Sequence, residues 1–137
     1  MTPATPAALR AVALVGTLTP SPARSSSELL ARQVLDALAE HGVTGSLVRL
    51  VDHDVRPGVL VDMGDGDEWP AIRQQVLDAQ ILVLATPIWL GQPSSVVKRA
   101  LERFDAELSE HDDEAGCSRT ARSPPSRSSG TRTARTT

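Results

Sequence analysis

Three short segments with strand character, each followed by a stretch of helical periodicity, constrain the fold of this chain most strongly. They are Ala11–Val15, Ser46–Leu50 and Ile81–Ala85. Strands that alternate with helices predict an α/β protein with a parallel sheet and right-handed crossovers. The third segment is apolar at every position, as is typical of a strand covered on both faces. Ligands bind such sheets beyond the carboxyl ends of the strands, so the segments after the first and third strands are the candidate sites.

The helices can be placed from their start signals and apolar stripes. Ser25 and Glu28 form a capping-box pattern at the start of the first helix, and Gly42 is placed to end it. The predicted buried stripe of this helix is Leu30, Val34, Leu35 and Leu38. The second helix is predicted to begin near Trp69 and Pro70, with one face formed by Trp69, Ile72 and Val76. The third is predicted to begin at Ser94 or Ser95 and to bury Val97, Leu101, Phe104 and Leu108.

The composition of the chain changes near Glu114. Residues 1–114 carry 9 Lys and Arg against 17 Asp and Glu, a formal net charge of −8, whereas residues 115–137 carry 5 Arg and no acidic residue. Arg, Ser and Thr supply 15 of those last 23 residues. Such a segment buries too little apolar surface to offset the entropy lost on ordering. We therefore expect a domain over residues 1–114 and a disordered tail over residues 115–137.

Three explanations of this tail stay open. It could be a flexible basic extension, or an arm that binds nucleic acid. Five scattered Arg on an acidic protein make a weak electrostatic footprint, which argues against a nucleic-acid partner. The third explanation, which we favour, is a frameshift, because the residue types of the tail are those of GC-rich DNA translated out of frame. A shifted frame over residues 122–130 can encode a Val- and Ala-rich strand followed by a polar turn.

Simple counts exclude several classes of protein. The longest apolar run, Ile81–Ala85, is too short to cross a membrane, and Met1–Arg10 lacks the pattern of a secretory signal. We therefore expect no membrane association and a cytoplasmic location. Cys117 is the only cysteine, which rules out a disulfide scaffold and a cysteine-based metal cluster.

The acidic loops give no indication of a metal site. His53 lies between two aspartates but fits no strong zinc template. Asp62, Asp65 and Asp67 lack the ligand spacing and the closing Glu of a calcium loop. We interpret them as an exposed acidic loop and expect no bound metal.

The loop after the first strand is rich in hydroxyl groups. Thr17 follows the strand, and Ser25, Ser26 and Ser27 lie at the predicted start of the first helix. Free N–H groups and the helix dipole favour an anion at such a position, and neighbouring hydroxyls suit the oxygens of a phosphate monoester. Simple capping by Ser25, with the other hydroxyls solvated, explains the same residues equally well.

The loop after the third strand carries large apolar side chains between two prolines. It runs through Pro87, Ile88, Trp89, Leu90 and Gly91. Loops rarely expose such groups unless something flat or apolar covers them, and Gly91 permits a close backbone approach. A planar heterocycle packed beside Trp89 would account for this loop. The alternative is that Trp89 caps the core or a subunit interface.

Several nucleotide-binding and phosphate-using folds are excluded at this point. The chain has neither a GxGxxG after the first strand nor a GxxxxGK[ST] motif. A receiver domain requires acidic residues where this chain has Gly16 and Thr86. A phosphatase with a cysteine loop after the first strand is excluded because Cys117 lies in the tail.

Three segments resemble the NADPH-dependent FMN reductase branch of the flavodoxin-like superfamily, over roughly residues 11–110. They are Ala11–Thr17, Arg24–Ser27 and Thr86–Gly91, and the last, with its Pro, aromatic residue and Gly, is the most specific. The resemblance implies a doubly wound parallel sheet and a noncovalent FMN. The FMN phosphate would lie on Thr17, Ser25, Ser26 and Ser27, and its ring against Pro87, Ile88, Trp89, Leu90 and Gly91. The resemblance also implies NADPH as electron donor and assembly into homodimers or homotetramers, and it identifies no catalytic side chain.

The chain departs from this family in one respect. A flavodoxin-like sheet has five strands in the order 2-1-3-4-5, whereas the sequence supplies the first three β-α units. We therefore expect a truncated or frameshifted copy in which the third strand is an exposed edge and flavin binding is impaired. The function predicted first is a flavin-dependent NAD(P)H oxidoreductase. A flavodoxin-like electron carrier and a non-enzymatic interaction fragment are the alternatives.

Overall fold

The computed structural model describes residues 7–109, 111–112 and 116–117. Strands β1 (Arg10–Val15), β2 (Thr44–Arg49) and β3 (Ile81–Ala85) form a parallel sheet in the order β2-β1-β3. In its register Val15 is paired with Arg49 on one side and with Ala85 on the other. The carboxyl ends of all three strands therefore meet at one edge of the sheet. This confirms the predicted α/β class and the parallel sheet.

The helices begin where the sequence signals place them. They are α1 (Ser26–Ala39), α2 (Trp69–Asp78) and α3 (Ser95–Arg103). Ser25 caps α1, its side chain accepting a hydrogen bond from the Glu28 N–H, and Gly42 follows the helix with a positive φ of 79°. A short 3-10 turn, Leu50–Asp52, follows β2. A hairpin of β4 (Ile88–Trp89) and β5 (Gln92–Pro93) lies between β3 and α3.

The core has one cluster on each face of β1, because successive side chains of a strand point to opposite faces. Val12 and Leu14 pack with the apolar faces of α2 and α3. Trp69, Ile72 and Val76 share one face of α2, as predicted, and that face is buried. Ala13 and Val15 pack with Ala31 of α1. The sheet is therefore covered by helices on both sides.

Two burial predictions on the α1 side are wrong. Leu30 and Val34 are 59% and 37% exposed, and Ala31 takes the central contact with the sheet instead. Strand β3 is only partly buried, with Leu84 40% exposed, although it was expected to be covered on both faces. Both differences have the same cause: β3 is an outer strand of the described sheet, so this flank of α1 and β3 has no neighbouring element among the described residues.

The predicted stripe of α3 is also wrong in part. Val97 and Ala100 are buried, but Leu101 is 42% exposed. The buried face continues instead through Arg103, which ends the helix. Leu108, 70% exposed, lies beyond the end of α3 and cannot extend its stripe.

The chain divides into two compact units, residues 1–106 and 107–137. The short helix α4 (Ala106–Ser109) lies at the boundary, and the second unit contains an antiparallel pair of two-residue strands, β6 (His111–Asp112) and β7 (Gly116–Cys117). Apart from Gly116–Cys117, the tail predicted over residues 115–137 lies outside the described residues, so its disorder and origin stay predictions, as does the extent of the domain. No helix of the described residues is long and apolar enough to cross a membrane.

Candidate functional site

The loop after β1 begins close to the end of β3. The Gly16 N–H donates to the Ala85 carbonyl at 2.7 Å. A Cβ at this glycine would lie 2.0 Å from Val97 Cγ2, so a side chain is excluded where α3 approaches the loop. Thr17 is buried, and its Oγ1 accepts from the Thr19 N–H at 3.3 Å. The first residues of the loop are thus fixed by the sheet and by α3.

The N-terminus of α1 presents free hydrogen-bond donors. Ser25 Oγ accepts from the Glu28 N–H at 3.2 Å, so the cap interaction is made. The N–H groups of Ser26 and Ser27 have no acceptor within the described part of the chain. They belong to the first turn, where a helix cannot satisfy its own donors. Ser26 is exposed and Ser27 is half-buried, so both are accessible to a ligand.

The loop after β3 is a tight hairpin that presents apolar side chains to solvent. Its turn residues, Leu90 and Gly91, both have positive φ angles, 50° and 74°, as a two-residue type I′ turn requires. Ile88 is 73% exposed, Trp89 60%, and Leu90 fully exposed. A surface of this kind is typical of a binding site.

Ser94 joins the two loops, and its buried position could not be found from the sequence. Its Oγ donates to the Gly16 carbonyl at 2.6 Å and accepts from the Val97 N–H at 3.3 Å. Its own N–H donates to Thr86 Oγ1 at 3.0 Å. The sequence indicated a helix start at Ser94 or Ser95, but the contact with Gly16 spans 78 residues.

A cleft of about 510 Å³ lies between α1 and β3. Ser26 and Ser27 line it at the start of α1, and Pro87 and Ile88 line it just beyond the end of β3. Its remaining lining is mostly apolar and is formed by Leu30, Ala31, Val34, Val83, Leu84, Ala85 and Thr86. Its volume lies within the range of small-molecule sites, about 300–1,000 Å³.

Four of the nine predicted site residues therefore line one cleft. The other five lie around it rather than in its lining. Thr17 is buried beneath the loop, and Ser25 lines a separate pocket with Arg24 and Arg49. Trp89, Leu90 and Gly91 project into solvent as the end of the hairpin. Their roles in binding stay predictions.

Two side chains at and just after the end of β2 contact the loop after β1, and the sequence did not identify them. Arg49 is 6% exposed; its Nε and Nη2 donate to the Thr19 carbonyl at 3.0 and 2.5 Å. Asp52 accepts hydrogen bonds from the Ser21 N–H at 2.8 Å and from the Ser21 hydroxyl. These hydrogen bonds from Ser21 lower the pKa of the Asp52 carboxyl below its ordinary value.

The loop between the 3-10 turn and α2 is held by Arg103 of α3. This guanidinium donates to the carbonyls of Arg56, Leu60 and Val61 at 2.8–3.0 Å and forms an ion pair with Asp67. Asp67 therefore does not belong to an exposed acidic loop, and that prediction is wrong for this residue, whereas Asp62 and Asp65 are exposed. The burial of Asp67 arises because its partner lies 36 residues away, and the sequence did not predict that Arg103 is buried.

The imidazole of His53 contacts the Glu68 carboxylate, with 3.2 Å between Nδ1 and Oε1. The Asp54 N–H and His53 both hydrogen-bond Glu68, which lowers the pKa of its carboxyl. Within the described residues, no group of three or more His, Cys, Asp and Glu could hold a metal ion.

Comparisons with known proteins match this chain to a family model and to curated proteins. The family model described as NADPH-dependent FMN reductase matches residues 9–119. The 8-demethyl-8-aminoriboflavin-5′-phosphate synthase of Streptomyces davaonensis is 33% identical over 107 residues, which cover 72% of this chain and 42% of that protein. A protein of Mycobacterium bovis named divalent metal cation transporter MntH is 47% identical over 102 residues, which cover 72% of this chain and 15% of that protein.

A solved structure supports the flavodoxin-like fold. It is the crystal structure of RosB with the bound intermediate 8-demethyl-8-formylriboflavin-5′-phosphate. The TM-score is 0.65 at 32% identity, over 80% of this chain and 45% of the RosB chain. This chain thus spans less than half the length of each of these relatives.

Proposed function

Since this chain belongs to the NADPH-dependent FMN reductase family, we propose that it binds FMN noncovalently and takes part in electron transfer from a nicotinamide cofactor to a second acceptor. One observation carries the proposal. Free backbone donors at the start of α1 and a solvent-exposed apolar hairpin after β3 border the same cleft. A ligand with an anionic end and a flat apolar ring matches both.

The donors at the start of α1 fit a phosphate monoester. The N–H groups of Ser26 and Ser27 are available to donate, and the hydroxyls of Ser25, Ser26 and Ser27 lie beside them. The positive end of the α1 dipole favours an anion at this place. The names of the synthase and of the RosB structure both contain a riboflavin-5′-phosphate, which supports a 5′-phosphorylated flavin as the ligand.

The cleft and hairpin fit the ring of a flavin. Pro87 and Ile88 line the cleft, and Trp89, Leu90 and Gly91 follow at the hairpin turn. Their apolar surface would exclude water from one side of a planar ring, and exposed backbone amides would hydrogen-bond its polar edge. Bound FMN itself supplies the hydride and electron chemistry. The role proposed for the chain is to bind and orient, and no side chain is assigned as a general acid or base.

NADPH as the donor, a cytoplasmic location and assembly into homodimers or homotetramers are parts of the same proposal and rest on the family. The full activity of the longer relatives is also a proposal for this chain, because it spans only part of their length.

Titration of the full chain with FMN and with riboflavin, followed by flavin fluorescence, tests the binding step. We expect FMN to bind more tightly than riboflavin, which lacks the phosphate. Replacing both Ser26 and Ser27 by Ala should weaken FMN binding by about tenfold with little effect on riboflavin, since the hydroxyl hydrogen bonds to a charged group are lost while the backbone N–H groups remain. Ser46→Ala, an exposed serine of β2, is the control. Absence of FMN binding would contradict the proposal and would match the impaired binding expected of a chain that supplies only three β-α units.

Oxidation of NADPH and NADH by the FMN-loaded chain tests the electron transfer. Oxidation with an added acceptor supports the reductase. Tight FMN binding without oxidation of either nicotinamide would favour the electron carrier, and a soluble chain that binds a protein partner but no flavin would favour the interaction fragment.

A further inference from the structure

We propose that Arg49 and Asp52 are positioning residues that hold the loop after β1, Thr17–Ser25, in the conformation that receives the flavin 5′-phosphate. This inference rests on the proposed function of the same site. It assigns a role to two side chains at the end of β2 that neither the sequence pattern nor the lining of the cleft identified.

Arg49 links three elements through one guanidinium. Nε and Nη2 donate to the Thr19 carbonyl, and Nη1 donates to Glu28 Oε2 at 3.0 Å. Glu28 lies in the first turn of α1, next to the free N–H groups of Ser26 and Ser27. Arg49 thus fixes the middle of the loop relative to the start of α1. The planar guanidinium group can make these three directed contacts at once, whereas a Lys ammonium cannot reproduce them.

Asp52 fixes the next part of the loop. Its two carboxylate oxygens accept from the backbone N–H and from the hydroxyl of Ser21. Arg49 ends β2 and Asp52 lies three residues later in the 3-10 turn, so both contacts originate from one short segment. Thr19 and Ser21 are therefore held against the same support.

These contacts are the long-range hydrogen bonds of the loop. Among the described residues, its other hydrogen bonds are local. They run from Thr19 N–H to Thr17 Oγ1, from Ala23 N–H to the Pro20 carbonyl, and to Ser25 from the first turn of α1. Without Arg49 and Asp52, the only hydrogen bond that still joins residues 18–24 to the rest of the described chain would be the local one from Thr19 to Thr17. Ordering the loop would then become part of the cost of binding, and the affinity for the phosphate would fall.

Arg49 acts through other groups rather than on the ligand. It is 6% exposed, and its charge is balanced by Glu28, which also binds Arg32 at 2.7 Å. Its effect should therefore be confined to the part of the ligand that the loop contacts. Loss of the Arg49 contacts should weaken the interaction with the phosphate and leave the interaction with the flavin ring unchanged.

The ratio of FMN to riboflavin affinity measures this effect in the full chain. We expect Arg49→Gln and Asp52→Asn each to weaken FMN binding by about tenfold while riboflavin affinity stays unchanged. Arg49→Lys should not restore FMN affinity. Arg10→Gln, at the opposite end of β1, and Asp36→Asn, on the exposed face of α1, are the matched controls and should retain the wild-type ratio.

The outcomes separate this inference from the proposed function. If the wild-type chain prefers FMN and the variants keep that preference, the inference about Arg49 and Asp52 is overturned while the proposed function stands. If FMN and riboflavin weaken together, the residues are only structural and the inference is again wrong. If the wild-type chain shows no preference for FMN, or binds neither flavin, both are overturned. Asp52 is exposed, so we expect Asp52→Asn to fold and to test the inference even if Arg49→Gln does not fold.

Discussion

Arg103 of α3 and Asp67 form a bidentate ion pair in which both side chains have no solvent exposure. Nη1 lies 2.9 Å from Oδ1 and Nη2 lies 2.6 Å from Oδ2. The remaining N–H donors of Arg103 bind three carbonyls of the loop between the 3-10 turn and α2, so all five of its N–H groups are used. Arg103 also lies over the ring of Trp69, with its Cζ 5.7 Å from the centroid. The pair fixes a loop that has little regular structure of its own.

Removal of one partner of this pair should destabilise the fold strongly. We expect Asp67→Asn to lower the free energy of unfolding by about 3–5 kcal/mol, because the Arg103 charge stays buried without its counter-ion. Urea unfolding measures the change. Asp65→Asn, two residues away and exposed, is the control and should have little effect. An equal effect of the two substitutions would show that the ion pair contributes nothing specific.

The same pair predicts a dependence of stability on pH. Hydrogen bonds from Arg103 hold the pKa of the Asp67 carboxyl well below its ordinary value. The folded state therefore binds this proton less readily than the unfolded chain does, and the stabilisation is present above the unfolded pKa of about 3.9 and lost as the pH falls below it. Between about pH 5 and pH 3, we expect the free energy of unfolding to fall more steeply in the wild-type chain than in Asp67→Asn. Parallel pH profiles would contradict this.

Ser94→Ala should destabilise the junction of the two site loops. The substitution leaves the Gly16 carbonyl and the Val97 N–H without their partner at a position that is 1% exposed. We expect a loss of about 1–3 kcal/mol in the free energy of unfolding. Ser95→Ala is the matched control, because Ser95 is the exposed neighbour at the first position of α3. Thermal unfolding of the two variants side by side decides the point.

Substitution of Leu90 in the hairpin turn should have opposite effects on stability and on flavin binding. Leu90 has a φ of 50°, a conformation that costs a leucine about 1–2 kcal/mol and that asparagine tolerates better. We expect Leu90→Asn to raise the unfolding temperature slightly but to weaken riboflavin and FMN binding alike, because an apolar contact with the ring is lost. Gly91→Ala, with a φ of 74°, should lower the unfolding temperature. Stabilisation by Leu90→Asn with unchanged flavin affinity would remove Leu90 from the proposed site.

The elements of the fold were predictable because their signals are local. The cap of α1 depends on Ser25 and Glu28, three residues apart, and its hydrogen bond is present. The apolar run of β3 was correctly bounded at Ile81–Ala85. Burial was less predictable. Leu30 and Leu84 are exposed because β3 is an outer strand of the described sheet, and the order of the strands cannot be read from the segments that contain these residues.

The site was predictable only in outline. Strand ends indicated the loops after β1 and β3, and Ser26, Ser27, Pro87 and Ile88 do line one cleft. The supporting side chains were not identified: Arg49 contacts Thr19 across 30 residues, and Asp52 contacts Ser21 across 31. A charged residue at a strand end has the same sequence signature whether it is solvated or paired.

The sequence by itself thus determined the α/β alternation, the helix starts and the two loops that carry the candidate site, because strand and helix periodicity and capping act over a few residues. Only the tertiary structure decided which charges are buried and what they hold. The partners of Arg49, Asp52, Ser94 and Arg103 are brought to them by the packing of separate elements around β1, and no local pattern encodes a contact between residues 30 or more positions apart.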